Sequence, residues 1–202
     1  MFNAGRIIAA AIIGGIVVFA WGAFSHMVLP IGELGLASLP EEERMLAPMK
    51  GSITERGFYM FPGTSAHPDE AELKEWEARY KAGPRGVVVY DPSGGPAMGG
   101  GQLGSEFASG VGGALVLAIV LSAIGCCWRG AGRAAHGALV GLAMGVFAWL
   151  AVDVSYMVWY RFPAMFAAAG LIDQGVGWAL AGGVIGLVVK KRECAPCAGE
   201  EA

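Results

Sequence analysis

The sequence predicts an all-α membrane fold: a bundle of four transmembrane helices with a small α+β extracytoplasmic cap between helices 1 and 2. Composition is the first reason, since 55% of the 202 residues are hydrophobic and only 15% are charged, whereas soluble domains carry about 25% charged residues. The second is that four stretches are long and apolar enough to cross about 30 Å of hydrocarbon. Four cysteines are too few for a disulfide-dense secreted scaffold, and a net charge of −3 gives no basic surface for nucleic acid.

Each of the four apolar stretches meets the length requirement of a span. The first two carry no charge, the third is interrupted only by Asp153, and the fourth has Asp173 near its start. The predicted spans cover residues 7–24, 107–124, 137–159 and 171–189. The predicted division of the chain is helix 1 within 1–29, a cap and Gly-rich linker at 30–104, helices 2 to 4 at 105–190 and a tail at 191–202.

Basic residues flank the spans on one side of the membrane, which the positive-inside rule assigns to the cytoplasm. They are Arg6, Arg129, Arg133, Lys190, Lys191 and Arg192. This pattern predicts a multi-pass protein of the bacterial inner membrane with both termini cytoplasmic. The segment 30–104 is then extracytoplasmic, because long loops are translocated largely regardless of their charge.

The first apolar stretch also has some features of a cleaved signal peptide. Small residues near its end, Ala20, Gly22 and Ala23, resemble a cleavage site. The stretch is long for the apolar region of a signal peptide, and the bulky Trp21 lies among the small residues. We therefore expect helix 1 to be retained.

The segment 30–104 is predicted to form a short helix followed by a strand–helix–strand cap. Proline at the first helical position and acids in the first turn mark the start of the short helix. The apolar stripe Leu73, Trp76 and Tyr80 marks the second helix. The predicted elements are a helix from Pro40 to residues 49–51, strands at 57–61 and 87–90, a helix at 68–81, and a flexible linker at 93–104 before Ser105 as the N-cap of helix 2.

Small residues repeat every four positions in three of the predicted spans. In lipid, helices associate by close packing, which small residues permit. The predicted packing residues are Gly137, Gly141 and Gly145 in helix 3, Gly182 and Gly186 in helix 4, and Ala114, Ala118 and Ser122 in helix 2. These faces serve either the bundle itself or contact with a second copy or another protein, and the sequence leaves both open.

Ionisable residues are expected to gather at the outer ends of the helices. A helix rises about 1.5 Å per residue, so the spans carry these residues to the same level of the bilayer. The candidate site consists of His26, Asp153, Tyr156, Arg161 and Asp173. Such residues within spans indicate a ligand, metal or proton site. The alternative is structural, with Arg161 neutralising an aspartate and the aromatic rings forming an interfacial belt.

The cysteines give a weak indication of a metal or redox site. Cys194 and Cys197 form a C-x-x-C pair, and together with Cys126 and Cys127 they provide four thiols. Adjacent cysteines chelate one ion poorly, so ordinary reduced thiols are expected. The sequence carries no motif of a nucleophile elbow, nucleotide loop or metalloprotease helix, and we predict no catalytic residue and no cofactor.

Three apolar segments share local motifs with a known group of proteins. They are Ile7–Leu29 with Phe19–Gly22 and Ser25–Met27, Gly145–Trp149, and Leu171–Gly175 with Trp178. These segments resemble small uncharacterised four-helix bacterial membrane proteins, which are classed as domains of unknown function. The likeness covers roughly half the chain and implies four helices without a particular activity.

Two functions are compatible with these features. The first is a non-enzymatic structural or interaction subunit of a membrane assembly, in contact with the lipid bilayer and with a protein partner or second copy. The alternative is a small transporter or ligand- or metal-binding membrane protein that uses the polar cluster at the outer helix ends.

Overall fold

The computed structural model describes residues 4–95, 99–124 and 132–189. The structure is mostly helical. It confirms two predictions: four helices are long and apolar enough to cross a membrane, and a small two-stranded sheet is present. The elements are α1 (Ala4–Met27), α2 (Glu42–Ser52), β1 (Gly57–Phe61), α3 (Glu70–Ala82), β2 (Gly86–Tyr90), α4 (Gly100–Ile124), α5 (Arg133–Ala151), α6 (Asp153–Tyr160) and α7 (Ala164–Val188).

The chain folds into two compact units. The first, here called the helical unit, contains the described parts of 1–36, 98–155 and 163–202. The second, here called the mixed unit, contains the described part of 37–97 together with 156–162. The boundary falls within α6, so Asp153 belongs to the helical unit and Tyr156 to the mixed unit.

Helix α7 is the centre of the helical unit, because it packs against α1, α4 and α5. Helix α1 also packs along α4. Leu117 and Leu121 of α4 and Ile185 of α7 are the large side chains of the core, and small residues surround them. Outward-facing side chains are also apolar, among them Ile8, Ile16, Phe147 and Leu187. A helix that is hydrophobic all round is typical of a membrane span.

The crossing of α5 and α7 is made by glycines from both helices. A Cβ atom on Gly137, Gly141 or Gly145 would overlap a backbone carbonyl oxygen of α7. The reverse holds for Gly182 and Gly186, whose added Cβ atoms would overlap carbonyl oxygens of α5. The two backbones are therefore in direct contact, as expected of a small-residue helix interface in lipid.

Helix α4 begins earlier than predicted, at Gly100 instead of after an N-cap at Ser105. The side chain of Gln102 accepts a hydrogen bond from the Gly99 amide (3.0 Å), which satisfies a donor at the start of the helix. Ser105 lies within the helix and donates to the Gly101 carbonyl (2.9 Å). The predicted Gly-rich linker is shorter by the residues that enter this first turn.

The third candidate span, Arg133–Tyr160, is divided into two helices at Val152. Val152 has φ −111° and ψ −65°, and its amide still donates to Ala148. Asp153 is the first residue of the helix that follows. The sequence predicted one continuous helix here. The fourth span, by contrast, is longer than predicted, because α7 begins directly after Pro163.

The mixed unit confirms the predicted strand–helix–strand arrangement. Strands β1 and β2 are antiparallel, with Phe58 opposite Val89 and Met60 opposite Val87. Helix α3 starts from a capping box formed by Asp69 and Glu72. Its Trp76 indole donates to the Pro62 carbonyl at 2.9 Å, so the helix is tied to the end of β1.

Two local features shape the ends of this unit. Helix α2 begins at Glu42 and not at the predicted Pro40, because Glu41 takes a left-handed conformation with φ 47°.

After β2, the hydroxyl and amide of Ser93 donate to the Asp91 carboxylate (2.5 and 2.9 Å). These bonds, and then the charge of Arg56, hold the pKa of Asp91 below its ordinary value.

We expect Gly141→Ala to lower the stability of the helical unit by about 1–3 kcal/mol, the usual cost of overpacking. The added methyl group would meet the Trp178 carbonyl of α7, and this clash opposes the helix-propensity gain of about 1 kcal/mol for Gly to Ala. Gly112→Ala in α4 is the matched control, because no atom lies within 4 Å of its added Cβ. Thermal unfolding of both variants in mild detergent checks the difference. Equal midpoints would contradict the close α5–α7 approach.

Candidate functional site

A cavity of about 90 Å³ in the helical unit brings together three of the predicted site residues. These are His26 from the end of α1, Asp153 from the start of α6, and Asp173 from α7. The rest of the lining is small or apolar: Ile31, Gly32, Leu34, Phe166, Ala169 and Gly170. Three ionisable side chains therefore converge on a largely apolar cavity.

Glycines make room for the polar side chains of this cavity. A Cβ on Gly32 would overlap the His26 ring, and a Cβ on Gly170 would lie 2.6 Å from Asp153 Oδ1. Gly35 has φ +80°, and its backbone passes directly against that of Phe166. Only glycine adopts this φ without strain. The loop after α1 can therefore lie close over the histidine ring and the start of α7.

The central polar contact is made by Ser25, which the sequence analysis did not single out. Its side chain is completely buried. The hydroxyl Oγ lies 2.6 Å from Asp173 Oδ1 and 2.9 Å from His26 Nδ1. Ser25 thus links the carboxylate of α7 to the imidazole of α1. One serine in an apolar helix has no periodicity that reveals such a role, and its position beside His26 was the only available signal.

Indole groups fix the backbones on either side of the cavity. Trp21 Nε1 of α1 donates to the carbonyl of Asp173 at 3.1 Å, and Trp149 Nε1 of α5 donates to that of Ala167 at 2.6 Å. A Cβ on Gly177 would lie 2.8 Å from the Trp21 ring, so this glycine admits the indole. Both α1 and α5 are therefore held to the segment of α7 that carries Asp173.

The other two predicted site residues, Tyr156 and Arg161, belong to the mixed unit. The Tyr156 ring lies 5.5 Å from that of Tyr160 between centroids, and Tyr160 lies 5.1 Å from Phe58. Arg161 has φ 63° and lines a small hollow with Met60 and Tyr160. These aromatic contacts hold the segment 156–162 against β1.

The structure gives no support to a metal at this cavity. Over residues 4–95, 99–124 and 132–189, no three His, Cys, Asp or Glu side chains are grouped closely enough to hold an ion. The four thiols proposed as weak metal ligands, Cys126, Cys127, Cys194 and Cys197, lie outside the described residues.

Comparison of the chain with protein-family models, with curated proteins and with solved structures found no match in any of the three. The geometry of the cavity is therefore the basis for any functional proposal.

We expect Ser25→Ala to destabilise the helical unit by about 1–3 kcal/mol, because it leaves the Asp173 carboxylate and the His26 imidazole without their shared partner. Ser122→Ala is the matched control. Ser122 is also buried, but among the described residues its hydroxyl bonds only to the Ala118 carbonyl of its own helix (2.7 Å). Thermal unfolding in detergent measures both. A loss for Ser25→Ala no greater than that for Ser122→Ala would show that the Ser25 bridge contributes little.

Proposed function

We propose that this chain is a multi-pass membrane protein that binds a small polar ligand in the cavity lined by His26, Asp153 and Asp173. The observation that carries the proposal is the convergence of three ionisable side chains from α1, α6 and α7, with buried Ser25 bridging two of them. Ionisable residues within membrane-spanning helices are costly and usually functional. The apolar remainder of the lining adds hydrophobic walls, as is common in sites for small molecules.

The other predicted function, a structural or interaction subunit, has less support. Its basis in the sequence is the small-residue faces together with the absence of a catalytic motif. Gly137, Gly141 and Gly145 lie against α7 of the same chain, and Ala114 and Ala118 are buried in its core. These faces are therefore used within the chain. Native mass spectrometry after gentle extraction tests the subunit role. A second protein bound to the chain at fixed stoichiometry would support it.

We also propose the orientation predicted from the basic residues: the bacterial inner membrane, with the start of α1 and the end of α7 cytoplasmic. Arg6 and Arg133 lie at helix ends remote in sequence from the cavity residues. His26 ends α1, Asp153 follows α5, and Asp173 lies in the first half of α7. In this orientation the cavity is at the extracytoplasmic ends of the helices, accessible to periplasmic solutes.

A cysteine-accessibility experiment tests the orientation. The variant Ser65→Cys, in the mixed unit before α3, is expected to react with a membrane-impermeant maleimide added to intact spheroplasts. The reaction is measured in a background in which the four native cysteines are replaced by serine. Gly132→Cys, directly before α5, is the control and is expected to react only after the membrane is opened. The reverse pattern would overturn the proposed orientation.

Asp153→Asn tests ligand binding, because it removes a charge from the cavity with little change in shape. The purified protein in lipid nanodiscs is heated with methylammonium, acetate, glycine or urea as probes. A solute that binds the folded state raises the unfolding midpoint. We expect at least one probe to do so in the parent protein and not in Asp153→Asn. Glu77→Gln on α3, exposed in the mixed unit, is the matched control and is expected to behave like the parent. If no probe distinguishes the parent from Asp153→Asn, the proposal is wrong.

A further inference from the structure

The hydrogen bonds around His26 determine which of its ring nitrogens carries the proton. Nδ1 lies 3.1 Å from the carbonyl oxygen of Gly22, which only accepts hydrogen bonds. It also lies 2.9 Å from Ser25 Oγ. The single hydroxyl proton of Ser25 faces two groups that accept hydrogen bonds, the Asp173 carboxylate at 2.6 Å and the Gly22 carbonyl at 3.1 Å, so Ser25 accepts from His26. Both contacts therefore require a proton on Nδ1.

With Nδ1 protonated, Nε2 of the neutral ring is a hydrogen-bond acceptor. The Cδ2–Nε2 edge of the ring lies beside Gly32, since a Cβ added there would be 3.0 Å from Nε2. Gly32 and His26 both line the cavity. Within the described part of the chain, no residue forms a hydrogen bond with Nε2. In the neutral ring, Nε2 of this cavity-lining residue therefore keeps an unshared electron pair that no described residue uses.

The side chains that line the cavity consequently offer acceptors and no donors. The carboxylates of Asp153 and Asp173 only accept when ionised, and Nε2 of His26 accepts as well. The remaining lining side chains, those of Ile31, Leu34, Phe166 and Ala169, carry neither donor nor acceptor groups. When both carboxylates are ionised, a ligand complementary to these side chains supplies hydrogen-bond donors and positive charge.

We infer that the ligand is a small cation with N–H donors, of the class of ammonium and methylammonium. This inference rests on the proposed function and specifies its ligand class. The cavity volume of about 90 Å³ exceeds the roughly 10–15 Å³ that a cavity needs on the same measure to hold one water. It therefore has room for an ion of this size. Ammonium can donate to an ionised carboxylate of the lining or to Nε2 of His26, and charge-assisted bonds of this kind are the strong ones.

Ser25 is a positioning residue in this scheme, because it acts on the ligand only through His26. By accepting from Nδ1, the Ser25 hydroxyl favours the tautomer in which Nε2 is the acceptor, because the hydrogen bond made by one ring nitrogen sets the protonation of the other. Loss of the hydroxyl removes one of the two contacts that require a proton on Nδ1. Ser25→Ala should therefore populate the other tautomer, with the proton on Nε2, and weaken binding of the cation.

Ammonium and potassium ions provide the direct test, since they have the same charge and similar size but only ammonium donates hydrogen bonds. The full chain, labelled with ¹⁵N in its histidine rings, is placed in lipid nanodiscs and titrated with NH₄Cl or KCl at constant ionic strength. His26→Gln identifies the His26 signals among those of His67 and His136. We expect the ¹⁵N shifts to show Nδ1 protonated and Nε2 unprotonated, and only NH₄⁺ to shift Nε2.

Variants distinguish a specific site from general salt effects. Asp153→Asn is expected to weaken the response to ammonium about tenfold, the effect of losing one charged hydrogen bond. Glu77→Gln is expected to leave it unchanged. Ser25→Ala is expected to show a mixture of tautomers and weaker binding, and a single unchanged tautomer in this variant would contradict its positioning role.

The possible failures are separable. An equal response to K⁺ and NH₄⁺, or a proton on Nε2 in the parent, would overturn the donor-cation inference. If acetate, glycine or urea stabilises the parent but not Asp153→Asn while ammonium has no effect, the cavity is a ligand site and only the ligand class is wrong. If no solute distinguishes these two proteins, both the ligand class and the proposed function fail.

Discussion

The close approach of α7 to its neighbours is the constraint on which the rest of the helical unit depends. In the membrane placement proposed above, no hydrophobic gain drives the helices together, so contact has to come from packing and from interhelical hydrogen bonds. Helix α7 uses both. Toward α5 it presents Gly182 and Gly186, which allow direct backbone contact. Toward α1 it presents Gly177, which admits the Trp21 ring, and Asp173, which receives the Ser25 hydroxyl.

In the helical unit, the apolar core and the polar contacts lie at different ends of the helices. Ala10 near the start of α1, Leu121 near the end of α4 and Ile185 near the end of α7 belong to one apolar core. The polar contacts of Ser25 and Asp173 involve the other ends of α1 and α7. Among the described residues, every buried side-chain nitrogen or oxygen has a hydrogen-bond partner. A buried polar group needs such a partner, and this explains why Ser25 is tolerated with no exposure.

Much of this architecture was predictable from the sequence because span length and residue spacing are set by the bilayer and the helical repeat. The spacing of Gly137, Gly141 and Gly145 indicated an interface, and the lengths of the spans predicted that His26, Asp153 and Asp173 lie at the same level of the bilayer.

What the sequence did not reveal depends on single side-chain contacts. The Gln102 side chain accepts a hydrogen bond from the Gly99 amide at the start of α4. The high glycine content of this segment predicted a linker and gave no sign of this contact. Ser25 likewise has no repeating pattern. Tyr156 and Arg161 pack within the mixed unit because aromatic contacts to β1, such as Phe58 with Tyr160, organise their segment.

Structural roles can be assigned to some polar residues of the cavity one at a time. No single structural role explains why they occur together. Asp153 begins α6, and an acidic side chain at a helix start is favoured by the helix dipole. The helix dipole acts without a cavity. It does not explain why position 170 is a glycine, whose missing side chain makes room for the Asp153 carboxylate. Asp173 lies inside α7, where no helix start calls for an acid. A purely structural network would also end at the Ser25 bridge, since that bridge already satisfies Asp173 and Nδ1 of His26. The second carboxylate and Nε2 of the imidazole add acceptors that stability alone does not require, and a ligand with hydrogen-bond donors is complementary to them.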